Sequence, residues 1–218
     1  MVNLKRTTCP VIVDYGSGNI RSVLKAFEHV NGSGGVLSTN NQADLKDASH
    51  IVLPGVGSFA DCKSGLLACP GLLEELIEQV IEKRKPFLGI CVGMQLMATL
   101  GREHGETRGF NWIPGQIVKI VRDDINVKIP HMGWNELHFN KINHPVLRGL
   151  KEGAHAYFVH SYYFENMNSE HVLASVEYGG RITAIVGKDN LIGTQFHPEK
   201  SQKFGLDFIK NFLKWDGT

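Results

Sequence analysis

Short apolar runs alternate with helix-spaced ones through the first half of the chain. "PVIVD" (10–14) is brief and β-branched, which reads as a buried strand. The glycine-rich "YGSGN" follows. From about Asn19, Ile20, Val23, Leu24, Phe27 and Val30 recur at helical spacing on one face. "HIVLP" (50–54) is a second buried strand and runs into the turn "PGVG". A helix over about 71–84 is predicted to bury Leu72, Leu73, Leu76, Ile77, Val80 and Ile81. "PFLGI" (86–90) is the next strand, and "VGMQLMATL" opens another helix. Near-continuous apolar strands, alternating with helices, predict a parallel sheet covered on both faces.

The pattern changes over 110–195. "GQIVKIV", "AYFVHSYYF", "VLASVEY" and "ITAIV" follow one another with no long helix between them, which predicts antiparallel strands packed on the parallel core. A final helix over about 202–214 is expected to bury Phe204, Phe208, Ile209, Phe212 and Leu213. No linker-like stretch, repeat or low-complexity tract divides the chain. The expectation is one α/β domain over residues 1–218, with a mostly parallel central sheet, flanking helices and an added antiparallel β region.

Composition narrows the function. The 218 residues are 42% hydrophobic and 21% charged with a net charge of +1, and no stretch clusters Lys and Arg with aromatics. Nucleic acid and anionic membrane surfaces are therefore not expected partners. "MVNLKRTTCP" has no apolar leader core, and no apolar run approaches the ~18 residues of a spanning helix, so a cytoplasmic protein is expected. Cys9, Cys62, Cys69 and Cys91 match neither a zinc spacing nor a disulfide framework. None of the ten histidines lies in an HExxH or HxH cluster. Neither metal nor cofactor is expected.

One segment asks for a chemical explanation. "FLGICVGMQLM" (87–97) sets Cys91 between Gly89 and Gly93, where a strand gives way to a helix. That is the context of a nucleophile elbow with a thiol at its tip. Helix N–H groups facing the sulfur would favour thiolate and hold an oxyanion, with Val92 N–H the first candidate. The bland alternative, a buried cysteine before a glycine turn, stays open on this motif alone.

A thiol nucleophile needs a base, and the base needs an orienting group. "GTQFHPEKS" (193–201) supplies His197 and Glu199 two residues apart after an apolar run. In extended chain such residues share a side, so Glu199 can fix the tautomer of His197. "PGVG" (54–57) could bring a second oxyanion donor, through the freedom of Gly55, Val56 and Gly57, or be an ordinary turn.

Together the elbow "GICVGMQ", the late "HPE" and the early "PGVG" resemble the class I (triad) glutamine amidotransferases, in that family's order and over most of the chain. The resemblance implies Cys91 as nucleophile, His197 as general acid/base, Glu199 as its orienter, and L-glutamine bound through Gln95, Ser161 and Tyr162. It implies a flavodoxin-like sheet. Within the family, "DYGSGN" (14–19), "HMGWN" (131–135) and "HPEKS" (197–201) most resemble glutaminase subunits of histidine biosynthesis. Their partner is a cyclase subunit with a (β/α)8 barrel, joined as a heterodimer. Asn19, Met132, Trp134 and Lys200 would lie toward that partner. The first nine or so residues precede the family's usual start.

Three other readings are compatible with parts of the pattern. A related glutaminase–barrel pair could serve surface-sugar amidation. A silent binding module of this fold would be expected to lose a triad member, and none is lost. A cysteine peptidase elbow leaves Gln95 unexplained.

Overall fold

The computed structural model describes residues 9–121, 127–141 and 143–218; the N-terminal stretch 1–8, including most of the extension noted above, lies outside them. The leading apolar runs form β1 (Pro10–Val13), α1 (Ile20–Asn31), the edge strand β2 (Leu37–Thr39) and β3 (His50–Gly55). Then come α2 (Phe59–Leu67), α3 (Leu72–Ile77), β4 (Phe87–Cys91) and α4 (Val92–Gln95). The β-rich half contains β5 (Leu100–Gly101), β6 (Thr107–Arg108), β7 (Gly115–Lys119), β8 (His131–Glu136) and β9 (His138–Phe139). It continues with β10 (His155–His160), β11 (Tyr162–Asn166), β12 (Val172–Glu177), β13 (Arg181–Lys188) and β14 (Leu191–Thr194). Helix α5 (Gln202–Lys214) closes the fold.

The main sheet has eight strands in the order β2-β1-β3-β4-β14-β13-β12-β9. Strands β2, β1, β3, β4 and β14 are parallel, and β13, β12 and β9 extend the sheet antiparallel. Every residue of β1, β3, β4 and β14 is buried, which explains why their sequences do not alternate. The carboxyl ends of β1, β3, β4 and β14 lead into "DYGSGN", "PGVG", the Cys91 elbow and "HPE". In open α/β sheets that edge is where ligands bind. Some antiparallel segments extend the sheet rather than pack on it; others form a separate four-stranded sheet, β11-β7-β5-β6, and a two-stranded ribbon, β10-β8. "AYFVHSYYF" is split between these two units at Ser161.

Two helical expectations change, and one helix was not expected. The run 71–84 forms α3 followed by a π turn over Glu78–Glu82, closed by Lys83 N–H on the Glu78 carbonyl. Its buried apolar line is only Leu72, Leu76 and Val80, while Ile77 and Ile81 are exposed; the wider turn shifts the helix face at Ile81, which lies within it. Helix α4 is a single turn. The carbonyls of Leu96, Met97 and Ala98 accept from Phe110, Trp112 and Asn111 N–H, at 2.8, 2.9 and 3.0 Å, so the returning chain takes the acceptors that a longer helix would use. Helix α2, by contrast, carries an unread start signal: Ser58 Oγ accepts from Asp61 N–H at 3.1 Å.

Helix α5 locks the last site segment to the core. Phe208, Ile209 and Phe212 are fully buried, each worth ~1.5–3 kcal/mol. Phe212 meets Phe27 of α1 edge to face at 6.4 Å. Phe196, just before "HPE", packs on Phe158, Phe204 and Phe208 at 5.7–5.8 Å. Gly205 stands against the Pro198 carbonyl, where any Cβ would overlap the oxygen. Gly205→Ala should therefore destabilise the protein by about 1–3 kcal/mol, although the same change in an exposed helix would stabilise it by ~1 kcal/mol. Urea unfolding decides the sign, and a more stable variant would refute this packing.

Candidate active site

Cys91 ends β4 and immediately precedes α4 with φ +54° and ψ −110°. A non-glycine residue there costs of order 1–3 kcal/mol and persists only where its surroundings enforce it. The enforcement is visible two residues on. Gly93 lies against the Leu53 carbonyl of β3, closer than any side chain would allow, and Gly89 is closed off by the backbone of Gly93 and Met94. Cys91 also pairs in register with Gly55, the last residue of β3. The "PGVG" turn consequently begins directly beside the thiol.

His197 and Glu199 arrive from the end of β14. The pairing expected from extended chain is made on a 3-10 turn, Pro198–Lys200, which Pro198 favours by its fixed φ. His197 Nδ1 donates to Glu199 Oε1 at 2.8 Å, and both side chains are buried. The carboxylate thereby fixes the tautomer. His197 Nε2 is left buried without a hydrogen-bond partner, as is Glu199 Oε2. The turn is stitched to β10: His197 N–H donates to the Tyr157 carbonyl, and Ser201 Oγ bridges the His197 carbonyl and Tyr157 N–H. Burial works against the imidazolium, but the neighbouring Cys91 and the hydrogen-bonded Glu199 carboxylate outweigh it, and the His197 pKa is pushed up to about 10.

A cavity of about 280 Å³ opens here, near the lower end of the ~300–1,000 Å³ of small-molecule sites. Its walls bring together most of the residues expected from sequence: Cys91, His197, Val56, Gly57, Val92, Gln95, Ser161 and Tyr162. Gly55 sits behind them in β3. The Val56 carbonyl accepts from Ser17 Oγ at 2.6 Å and from Cys62 Sγ at 3.4 Å, while Tyr15 OH donates to the Pro54 carbonyl at 2.8 Å. These contacts tie the turn to the segment after β1.

Two residues escaped the sequence reading. Gln195 is fully buried, its Nε2 3.7 Å from Cys91 Sγ and its Oε1 3.1 Å from Gln95 Nε2. Glu103 lines the same cavity and accepts from Phe59 N–H at 2.8 Å, at the start of α2. Gln195, two residues before His197 in an apolar run, was a readable signal. Glu103 was not, since it sits in a polar loop without periodicity.

The four positions expected at a partner surface fall outside the cavity. Met132 and Trp134 are 62% and 46% exposed on the outer side of β8. Trp134 meets the Tyr157 ring at 5.9 Å, and Lys200 Nζ lies 5.8 Å from the same ring. Asn19 precedes α1 as its N-cap residue without a side-chain cap bond. Among the described residues no cluster of three or more His, Cys, Asp or Glu could hold a metal ion, and no helix is long and apolar enough to cross a membrane.

A thiol, an imidazole and a carboxylate around a small cavity at a sheet's carboxyl edge form a set able to carry out acyl transfer. A family model described as glutamine amidotransferase class-I matches residues 11–215. The chain belongs to the class I glutamine amidotransferase family. Proteins described as imidazole glycerol phosphate synthase subunit HisH, from Brucella melitensis and Rhodopseudomonas palustris, are 51% and 54% identical to it, covering 94% of this chain and 97% of each relative. Among solved structures, one described as a glutamine amidotransferase superposes with TM-score 0.72 at 17% identity, over 95% of this chain and 99% of its own. PurLQS from Thermotoga maritima gives 0.65 at 18%, over 94% and 97%. These two likenesses bear out the mixed α/β fold.

The raised His197 pKa has a measurable consequence. A group whose folded pKa exceeds its unfolded value of ~6.5 stabilises the fold fully below that pH, and the contribution is lost as pH rises through about 10. In ¹⁵N NMR the His197 ring should still be protonated at about pH 8, and Glu199→Gln should lower its titration midpoint. A parent ring already neutral at about pH 7 would contradict the assigned electrostatics.

Proposed function

We propose that this chain is the glutaminase subunit of imidazole glycerol phosphate synthase. It hydrolyses L-glutamine to glutamate and ammonia and passes the ammonia to a cyclase subunit. One observation carries the reading: Cys91, His197 and Glu199 meet at a cavity of small-metabolite size, in a chain about half identical over nearly its whole length to HisH subunits.

The chemistry follows from the geometry. The Cys91 thiolate attacks the side-chain amide carbon of glutamine, and the carbonyl oxygen becomes an oxyanion. Val92 N–H is one donor to it, and the Gly55–Val56–Gly57 turn supplies the other; one such donor is worth about 10²–10³ in turnover. His197 Nε2 gives its proton to the departing nitrogen, and ammonia leaves the glutamyl thioester. His197 then takes a proton from water, whose oxygen attacks the thioester, and glutamate is released with the thiolate restored. Glu199 holds the ring throughout. Gln95, Ser161 and Tyr162 bind the substrate, and Glu103 is the cavity carboxylate free to receive its α-ammonium group. No step calls for a metal or cofactor.

Ammonia is useful only beside an acceptor. The relatives described as HisH are subunits, which supports placing the acceptor site on a cyclase partner, a (β/α)8 barrel joined to this chain in a cytoplasmic heterodimer; its products are imidazole glycerol phosphate and aminoimidazole carboxamide ribonucleotide. Asn19, Met132, Trp134 and Lys200 face it. Exposed Met132 and Trp134 have the apolar and aromatic character that buried interface centres favour.

Two experiments probe the reading. In the complex with the cyclase, Cys91→Ala should lower glutamine-dependent synthesis by at least about a thousandfold and leave synthesis from ammonium salts intact. Glutamine hydrolysis retained by that variant would remove Cys91 from its role. Glu103→Gln should raise KM for glutamine about ten- to a hundredfold, the size of one charge-assisted hydrogen bond, with little effect on kcat. An unchanged KM would place the α-ammonium elsewhere.

A further inference from the structure

The β8–β10 ribbon carries a line of buried polar contacts that the chemistry above does not use. His131 and His160 oppose each other across the ribbon, with His131 Nδ1 2.9 Å from His160 Nε2. Both are buried. The direction of each hydrogen bond can be worked out from one end. The Tyr162 carbonyl can only accept, so His160 Nδ1, 3.0 Å away, donates to it. A neutral His160 then presents a lone pair at Nε2, and His131 Nδ1 donates there. His131 Nε2 is left as acceptor for Asn135 Nδ2 at 3.2 Å. The Asn135 amide is oriented independently, since Nδ2 also donates to the Glu177 carbonyl and Oδ1 accepts from Glu136 N–H.

An imidazolium in this line would set two donors against each other. Burial keeps both rings neutral, with the His131 pKa near 4 and that of His160, which also feels the charges of His131 and His197 against the favourable Tyr162 carbonyl, near 3. His131 also stacks on Phe158 and Tyr178, at 4.7 and 3.9 Å between ring centres. At the cavity end, the Tyr162 carbonyl accepts a second bond from Gln95 Nε2 at 3.0 Å. One acceptor thus joins the histidine pair to the substrate-side amide.

We propose that His131 is a positioning residue for glutamine. Acting through His160, it holds the Tyr162 carbonyl, and with it the Ser161–Tyr162 wall, in the register that Gln95 requires. The inference rests on the reading of this cavity as the glutamine site. If His131 served packing alone, its ring stack would suffice and its hydrogen atoms would be irrelevant.

Three variants in the complex with the cyclase separate these cases. His131→Phe keeps a stacking ring and has no donor. His131→Asn restores a donor near the Nδ1 position, whereas His131→Gln extends its amide only toward the Nε2 position. His131→Phe should raise KM for L-glutamine about tenfold, with kcat and ammonia-dependent synthesis each changed less than about twofold. His131→Asn should return KM to within about threefold of the parent, and His131→Gln should not. A KM in His131→Phe within about twofold of the parent would overturn the proposal. So would equal losses of glutamine- and ammonia-dependent synthesis, or rescue by Gln as good as by Asn. If the Phe variant does not fold, the Asn–Gln contrast decides alone. A parent complex that hydrolyses no glutamine would instead sink the underlying reading, whatever the His131 variants do.

Discussion

Gly93 rests against the Leu53 carbonyl with no room for a methyl group between them, and Gly89 is closed off by the strand-to-helix backbone it precedes. Packing the first turn of α4 this tightly onto β3 forces the chain at Cys91 into a left-handed bend, φ +54°. The bend lifts the thiol out of a fully buried strand. It also sets the sulfur beside the "PGVG" turn, because Gly55 and Cys91 are register partners. Strain of a few kcal/mol at one residue is thus held by the cooperative packing of the central sheet. Relaxing the contact would move the thiol and the "PGVG" turn together.

The other groups depend on that edge in the same way. Parallel strands point their carboxyl ends to one side, so "DYGSGN", "PGVG", Cys91 and "HPE" converge although they span nearly the whole chain. His197 is then held twice: by Glu199 at Nδ1 and by backbone bonds to β10. The groups around it favour the imidazolium despite its burial. The His131–His160 pair on the β8–β10 ribbon is the electrostatic opposite: two rings kept neutral by burial. Two environments thus give imidazoles opposite protonation preferences, and His160 and His197 line the same cavity.

Local pattern carried a large share of this. The runs 10–14, 50–54 and 86–90 are almost continuously apolar and became the buried parallel strands, and Ile20 to Val30 became α1 as spaced. Glycines flanking a cysteine after a strand suggested an elbow, and the late "HPE" and early "PGVG" turned that into an expectation. Where the expectations slipped, either a distant partner or a local turn was responsible. Helix α4 stops after one turn because segment 110–112 takes its carbonyls. The His197–Glu199 pair sits on a 3-10 turn rather than in extended chain.

The sequence by itself determined which residues could do chemistry and which segments would be buried, because nucleophile elbows, helix faces and buried strands are written within a few neighbouring positions. Tertiary structure alone decided which of those residues meet. It brought Glu103 from a polar loop to the cavity wall, put Gln195 beside the sulfur, and set His131 against His160, 29 residues further on, across a ribbon. Such pairings depend on strand register and on the path of the returning chain. Those are settled by long-range packing and hydrogen-bond satisfaction, which no local spacing encodes.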